Sequence, residues 1–235
     1  MGNELDGPSD VTMLKEVAIH GISSILKVHF FVHCCVMTNE PSPASASALS
    51  RLLDALGPAA GRKGPPPVER WNPAYCGEID MRIARDGTWF YMGTPINRPA
   101  LVKLFATVLR KDPERYVLVT PVECVGIEVE DAPFLAVEMA VDGDGDARQI
   151  AFRTNVDDVV QVGPDHPLRF ERGGGGGVKP YLRVRGGLWA LVTRPLALDL
   201  IALGDQRLYG GTDQYGVAIG DVFHPIATVS ELDRS

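Results

Sequence analysis

The stretch Met81–Pro99, MRIARDGTWFYMGTPINRP, decides the fold, because a degenerate second copy follows at Leu182–Pro195, LRVRGGLWALVTRP. In each, an alternating segment carrying an arginine (Arg82, Arg183) meets a glycine-containing turn. A segment with a tryptophan (Trp89, Trp189) comes next, then Arg-Pro and an apolar run. In the first copy Ile79–Ala84 and Thr88–Met92 alternate around Arg85-Asp86-Gly87. An Asp-Gly step between alternating segments predicts a β-hairpin. Asn97 then predicts a helix N-cap, and Leu101, Leu104, Phe105, Val108 and Leu109 keep the spacing of one buried helix face. Two alignments of the copies stay open. Matching Trp89 with Trp189 sets Pro95 against Pro195, whereas matching the Arg-Pro steps leaves a gap of four residues after the tryptophan.

Downstream of the first unit, short strand-like runs follow one another at Tyr116–Val122, Gly126–Val129, Phe134–Val141, Arg148–Thr154, Asp158–Val162, Tyr181–Val184 and Leu188–Thr193. Pro, Gly and Asp separate them, as an antiparallel meander requires. A helix with Leu196, Leu200, Ile201 and Leu203 closes the series. Seven antiparallel strands capped by a C-terminal helix describe a pleckstrin-homology-like barrel, although seven strands also build sandwiches. The expected class is therefore α+β. A hairpin–helix N-terminal domain (68–114) precedes an antiparallel β domain with its capping helix (115–204), and a tail (205–235) packs on the core as irregular structure. The hairpin–helix unit is expected to occur twice.

Upstream, Val17–Met37 nears the length of a bilayer span. Lys27, His20, His29 and His33 interrupt it, and Glu4, Asp6 and Asp10 precede it in place of a basic region. Neither a transmembrane helix nor a signal peptide is expected. Residues 1–36 read instead as an upstream extension with Met37 as the natural start. Thr38–Ser47 then reads as a flexible lead-in, Ser47–Leu56 as a short amphipathic helix, and Arg62–Pro67, RKGPPP, as a stiff connector. Residues 1–67 together form an N-terminal extension and linker.

The 235 residues carry 23 Lys and Arg against 30 Asp and Glu, a formal charge of −7. That balance argues against a nucleic-acid polymer as partner, since such binders present a basic patch. The four cysteines (Cys34, Cys35, Cys76, Cys124) make no CxxC pair and no dense disulfide pattern. They read as reduced thiols of a cytoplasmic protein. No GxSxG, HExxH or phosphate-loop signature occurs. His29, His33 and Cys34 lack a second ligand pair for a metal. Asp142, Asp144 and Asp146 match the start of a calcium loop, but Ala147 and Arg153 stand where glycine and glutamate are needed, so a turn accounts for them. Gly173–Gly177 reads as a mobile loop or flap, His166 as a turn histidine, and Glu128 with Glu130 as a solvated strand face. The expectation is a protein without cofactor or metal and without a catalytic constellation.

Trp71-Asn72-Pro73 with Cys76-Gly77, DGTWFYMGTPI, LVTPVE, VEDAPF and PYLRVRGGLWALVTRP, taken together and in this order, resemble the bacterial family catalogued as domain of unknown function 1285. The resemblance runs from about Trp71 to the C-terminal region. It implies a two-domain α+β protein with a repeated structural motif and a C-terminal domain superficially like pleckstrin-homology folds. It also implies a nucleotide-like ligand at the domain interface and a role in signal transduction.

The residues themselves point to an anionic ligand. Arg82, Arg98, Arg153, Arg183, Arg185 and Arg194 fall in or beside the repeated motifs of an otherwise acidic chain. Arginine's planar fork suits phosphate or carboxylate, and Trp89, Tyr91 and Trp189 offer rings for stacking. The expected function is a sensor or adaptor that binds a small anion, nucleotide-like, between the two units. The alternatives are a protein-interaction module using a sheet edge or the proline-rich arm, and an enzyme.

Overall fold

The computed structural model describes residues 66–173 and 177–232. The expectations placed on residues 1–65, and on Gly174–Gly176 of the glycine run, lie outside these residues. What is described is mostly β-sheet.

Strand β1 (Tyr75–Ile83) buries Ile79, Met81 and Ile83 on alternate positions, the pattern of a strand with one face on a core. It turns back through Ala84–Thr88 into β2 (Trp89–Tyr91), with Ile83 opposite Trp89 and Arg82 opposite Phe90. In the turn the Gly87 amide donates to the Ala84 carbonyl at 2.9 Å, and the Thr88 amide to Asp86 Oδ1 at 2.9 Å. Gly87 has φ +81°, and a Cβ there would stand 2.9 Å from Asn155 Nδ2 and 3.0 Å from Leu135 Cδ1. Glycine is thus needed both for the left-handed backbone and for the close approach of a neighbouring sheet. Met92 (φ 51°) and Gly93 (φ 72°) lead at once into β3 (Thr94–Pro95), a two-residue turn with both central residues at positive φ.

Helix α1 (Pro99–Thr107) buries Phe105 and Ala106, and the Phe105 ring stacks on Trp89 at 6.1 Å with planes 21° apart. Arg98, not Asn97, occupies the N-cap, and Val108 ends the helix, so Leu109 belongs to the next strand. That strand, β4 (Leu109–Lys111), forms a hairpin with β5 (Tyr116–Val119), which pairs with β6 (Cys124–Val129). β6 then lies parallel to β1, giving the order β3-β2-β1-β6-β5-β4. The first two runs read as part of the second domain therefore complete the first sheet. The boundary read at 114/115 falls inside the β4–β5 hairpin, and local strand patterning could not show which sheet receives β5 and β6.

The second sheet repeats this plan. β7 (Phe134–Asp142), β8 (Gln149–Thr154) and β9 (Val159–Gln161) make one antiparallel triple. β10 (Leu168–Arg172), β11 (Val178–Arg185) and β12 (Leu188–Val192) make another. β12 joins β7 in parallel, so the order is β10-β11-β12-β7-β8-β9. In both sheets the first strand closes on the last. The Asp142–Ala147 segment is the β7–β8 turn, with a short 3-10 turn at Gly145–Ala147.

Helix α2 (Arg194–Ala202) follows β12 directly and buries Ala197 and Leu200. Arg98 caps α1 while Arg194 is the first residue of α2, so the Arg-Pro alignment matches the helix starts to within one residue. The additional residues in the first copy form the β2–β3 turn. The tryptophans do not correspond. Trp89 is 1% exposed, whereas in the second hairpin it is Leu188 that is buried, and Trp189 is half-buried beneath Arg169 at 4.2 Å. β1 and β2 also open their sheet, while β11 and β12 end theirs.

The segment after α2 is not irregular. β13 (Asp205–Tyr209), β14 (Thr212–Ile219) and β15 (Val222–Thr228) form a three-stranded antiparallel sheet, ending in a short helix α3 (Val229–Leu232). Val217, Ala218 and Ile219 enter the core, and because these three apolar residues are consecutive between Gly216 and Gly220 they give no period-2 signal to reveal the strand. Arg148 ties this sheet on: its carbonyl accepts from the Gly220 amide at 2.8 Å, and its Nη1 donates to the Ala218 carbonyl at 3.5 Å and to the Leu203 carbonyl at the end of α2 at 2.9 Å. One continuous core runs from Ile83 and Phe105 through Phe134 and Phe152 to Leu200 and Val217. Among the described residues no helix is long and apolar enough to cross a membrane.

Candidate functional site

The arginines expected to gather round a ligand are mostly engaged elsewhere. Arg82, on β1, is ion-paired with Glu130 and lies over the Phe90 ring at 4.4 Å. Arg153, on β8, forms ion pairs with Glu138 and, at 2.9 Å, with Asp157. Hydrogen bonds from Arg153 hold the Glu138 carboxyl below its usual range, and those of Lys103 and then Arg153 do the same for Asp157. Arg185, on β11, joins the two sheets. Its Nη1 meets Asp158 at 2.5 Å, its Nη2 donates to the Ala106 carbonyl at 2.5 Å, and its guanidinium lies over Phe134 at 5.1 Å. Arg183 donates through Nε to the Gly186 carbonyl at 2.8 Å.

Two of the predicted arginines remain. Arg98 and Arg194 are exposed, and among the described residues neither side chain has a hydrogen bond or ion pair. Each stands at the start of its helix, and neither helix has an acidic residue in its first turn. A guanidinium at that end meets the positive pole of the helix and gains nothing from it. No acidic side chain in either first turn offsets that charge.

Arg194 lines the larger of two cavities relevant here, about 480 Å³ in volume. β11, β12 and α2 supply its walls through Val178, Pro180, Leu191, Val192, Ala197, Leu198 and Ile201, with Gly173 and Gly177 at its rim. These strands and the helix converge because β12 runs straight into α2 with only Thr193 between them. Lys179 is the second cation, but its Nζ is already held by Asp131 Oδ2 at 2.6 Å. Asp131 also accepts from the Tyr181 hydroxyl at 2.7 Å and faces Arg85 Nε at 3.6 Å. Burial alone would raise the Asp131 pKa. The Lys179 and Tyr181 hydrogen bonds, with the charges of Lys179 and Arg85, outweigh it and hold the carboxyl below its usual range. Burial and Asp131 together push the Tyr181 phenol up.

The second cavity, about 310 Å³, lies where the first hairpin and α1 meet the β8–β9 turn. Thr88, Trp89, Asn97, Lys103 and Asn155 line it. Lys103 is ion-paired with Asp157. The indole Nε1 of Trp89 is buried without a partner among the described residues. Tyr91, on β2, is half-buried, and burial, with Asp80, raises its pKa.

The sequence missed Lys179, Leu198 and Ile201 as a group, because only the passage of β12 into α2 brings them together. Among the described residues no three His, Cys, Asp or Glu side chains are placed to hold a metal. His166 stands in the expected turn, its Nδ1 3.1 Å from the Arg183 carbonyl.

No curated protein matches the chain. A solved structure of a DUF1285 family protein from Silicibacter pomeroyi DSS-3 is 47% identical, over 78% of this chain and 98% of that one, with a TM-score of 0.70. Another, from Shewanella baltica OS155, is 26% identical over 53% of this chain and 91% of that one, with a TM-score of 0.42. Residues 66–132 match the family model described as the N-terminal domain of DUF1285, and residues 133–226 match that of its C-terminal domain. That junction follows β6 directly, where the first sheet ends and the second begins, and the chain belongs to the DUF1285 family.

Proposed function

We propose that this protein is a non-enzymatic binder of a small anionic molecule, a sensor or adaptor in cytoplasmic signal transduction, and that the ligand occupies the cavity beneath α2. The observation that carries this reading is Arg194, a guanidinium without an ion-pair partner among the described residues, on the wall of a concave apolar site. Its volume of about 480 Å³ falls in the range of small-molecule sites. The test is a thermal-shift titration with phosphate, carboxylates and nucleotides on the wild type and on Arg194→Ala. Stabilisation that rises with ligand and is lost in the variant supports the reading, and no stabilisation by any of these anions refutes it.

A second reading keeps the ligand nucleotide-like and at the junction of the two sheets. The unpartnered Trp89 indole beside the smaller cavity favours it, as does the position of Arg98 between the lining residues Asn97 and Pro99. Here Arg98→Ala, rather than Arg194→Ala, would abolish stabilisation by a nucleotide. We also propose that duplication produced the two six-stranded sheets, each closing its first strand on its last; the similar hairpin–helix segments do not mark it, since β1 and β2 open their sheet whereas β11 and β12 end theirs. The likeness to pleckstrin-homology folds is then one of strands capped by a helix, and it carries no ligand with it.

A further inference from the structure

Apart from Lys179 and Arg194, the described side chains on the walls of the α2 cavity are of one chemical kind. Val178, Pro180, Leu191, Val192, Leu198 and Ile201 are aliphatic, and no aromatic ring among the described residues lines the space. A nucleobase is held by stacking on rings, so these walls offer it no specific partner. They do suit a flexible hydrocarbon chain, which binds through buried apolar area alone.

The charge count is equally restrictive. Among the described residues Lys179 and Arg194 are the cations on the wall, and Asp131 neutralises Lys179 at 2.6 Å. One guanidinium is left uncompensated. A monoanion matches it, whereas the multiple charges of a nucleotide would leave negative charge unpaired beside apolar walls, which is costly. Arginine binds a carboxylate through two parallel hydrogen bonds, and Arg194 is exposed, so the head group stays near water while the chain lies inward. Resting on the anion-binding reading above, we infer that the ligand class is an aliphatic monocarboxylate, a medium-chain fatty acid, with its carboxylate on Arg194 and its chain along α2 and β12.

The experiment is calorimetric titration of the full chain with butanoate, hexanoate, octanoate and decanoate, with inorganic phosphate, AMP and octanol as controls. Affinity should rise with each pair of methylenes, by up to about fourfold per methylene, until the cavity is filled. Arg194→Gln should weaken octanoate at least about tenfold. It should leave the weak binding of octanol unchanged. Leu198→Asp, at a residue 61% exposed, should fold normally and repel octanoate through a carboxylate on the wall. Circular dichroism of both variants shows whether they are folded. Binding of phosphate or AMP that needs Arg194, without binding of any carboxylate, would overturn the ligand class while sparing the anion site. Carboxylate affinity that does not depend on chain length would overturn the class too. No binding of any anion would overturn both the class and the site.

Discussion

Asp131 is the residue whose loss should be felt most widely, because it joins the two sheets through a single carboxylate. Its side chain is 10% exposed and accepts from Lys179 Nζ at 2.6 Å and the Tyr181 hydroxyl at 2.7 Å, with Arg85 Nε 3.6 Å away. Asp131→Asn keeps the shape and removes the charge. The amide oxygen can still accept one hydrogen bond, so the loss is that of one charge-assisted bond and of the compensation of Lys179. Lys179 is 36% exposed, so water takes up part of that loss, and the expected destabilisation is about 2 kcal/mol at pH 7. The pH dependence makes the argument specific. The folded-state pKa of Asp131 is depressed, so its contribution is complete above the unfolded carboxylate pKa, about 3.9, and is lost as pH falls through the lower folded value. Urea unfolding of wild type and variant, followed by tryptophan fluorescence, should show a constant difference from pH 7 to about pH 5 and a shrinking one below about pH 4. A difference that persists undiminished at pH 2, or one below about 0.5 kcal/mol at pH 7, would refute the assignment of the carboxylate as the stabilising species.

Gly87→Ala should destabilise by at least about 1 to 2 kcal/mol, since φ is +81° and the new Cβ would stand 2.9 Å from an Asn155 amide that the Leu135 backbone holds in place. Chemical denaturation measures this, and a neutral result would mean the hairpin tip does not pack on the second sheet as described. His224, 5% exposed, has a pKa lowered by burial, with a backbone hydrogen bond to Leu168 opposing. Its neutral form is favoured in the folded state, so stability should be full above about pH 6.5 and decline as pH falls towards the folded pKa. His224→Gln should flatten the stability profile between about pH 6.5 and pH 5, and an unchanged slope would refute that origin.

The local elements were largely legible in the sequence. Asp86-Gly87 between alternating apolar residues marked the first hairpin, and Phe105 at helical spacing marked the face of α1 that meets Trp89. Five of the strands from Phe134 to Thr193 were found from alternation and turn residues, but β10 (Leu168–Arg172), with its charged Arg169, Glu171 and Arg172, was not. The strands β13 to β15 were not, because Gly216, Gly220 and a proline at position 225 break their pattern. The candidate site was less legible. Six arginines looked alike in sequence, yet four are engaged by Glu130, by Glu138 and Asp157, by Asp158, or by a local backbone carbonyl. The pairs for Arg82 and Arg185 join residues 48 and 27 positions apart, a distance that no local pattern encodes.

The sequence by itself determined the hairpins at Asp86-Gly87 and Gly186-Gly187, the presence of a helix after each and the family to which the chain belongs, because turn chemistry, helical periodicity and ordered motifs are properties of neighbouring residues. Only the tertiary structure decided that β5 and β6 complete the first sheet, that each sheet closes its first strand on its last in parallel, and that Arg194 stands over an aliphatic cavity without a partner among the described residues. Strand pairing and charge compensation depend on which distant segments meet, and that is set by the burial of one common core.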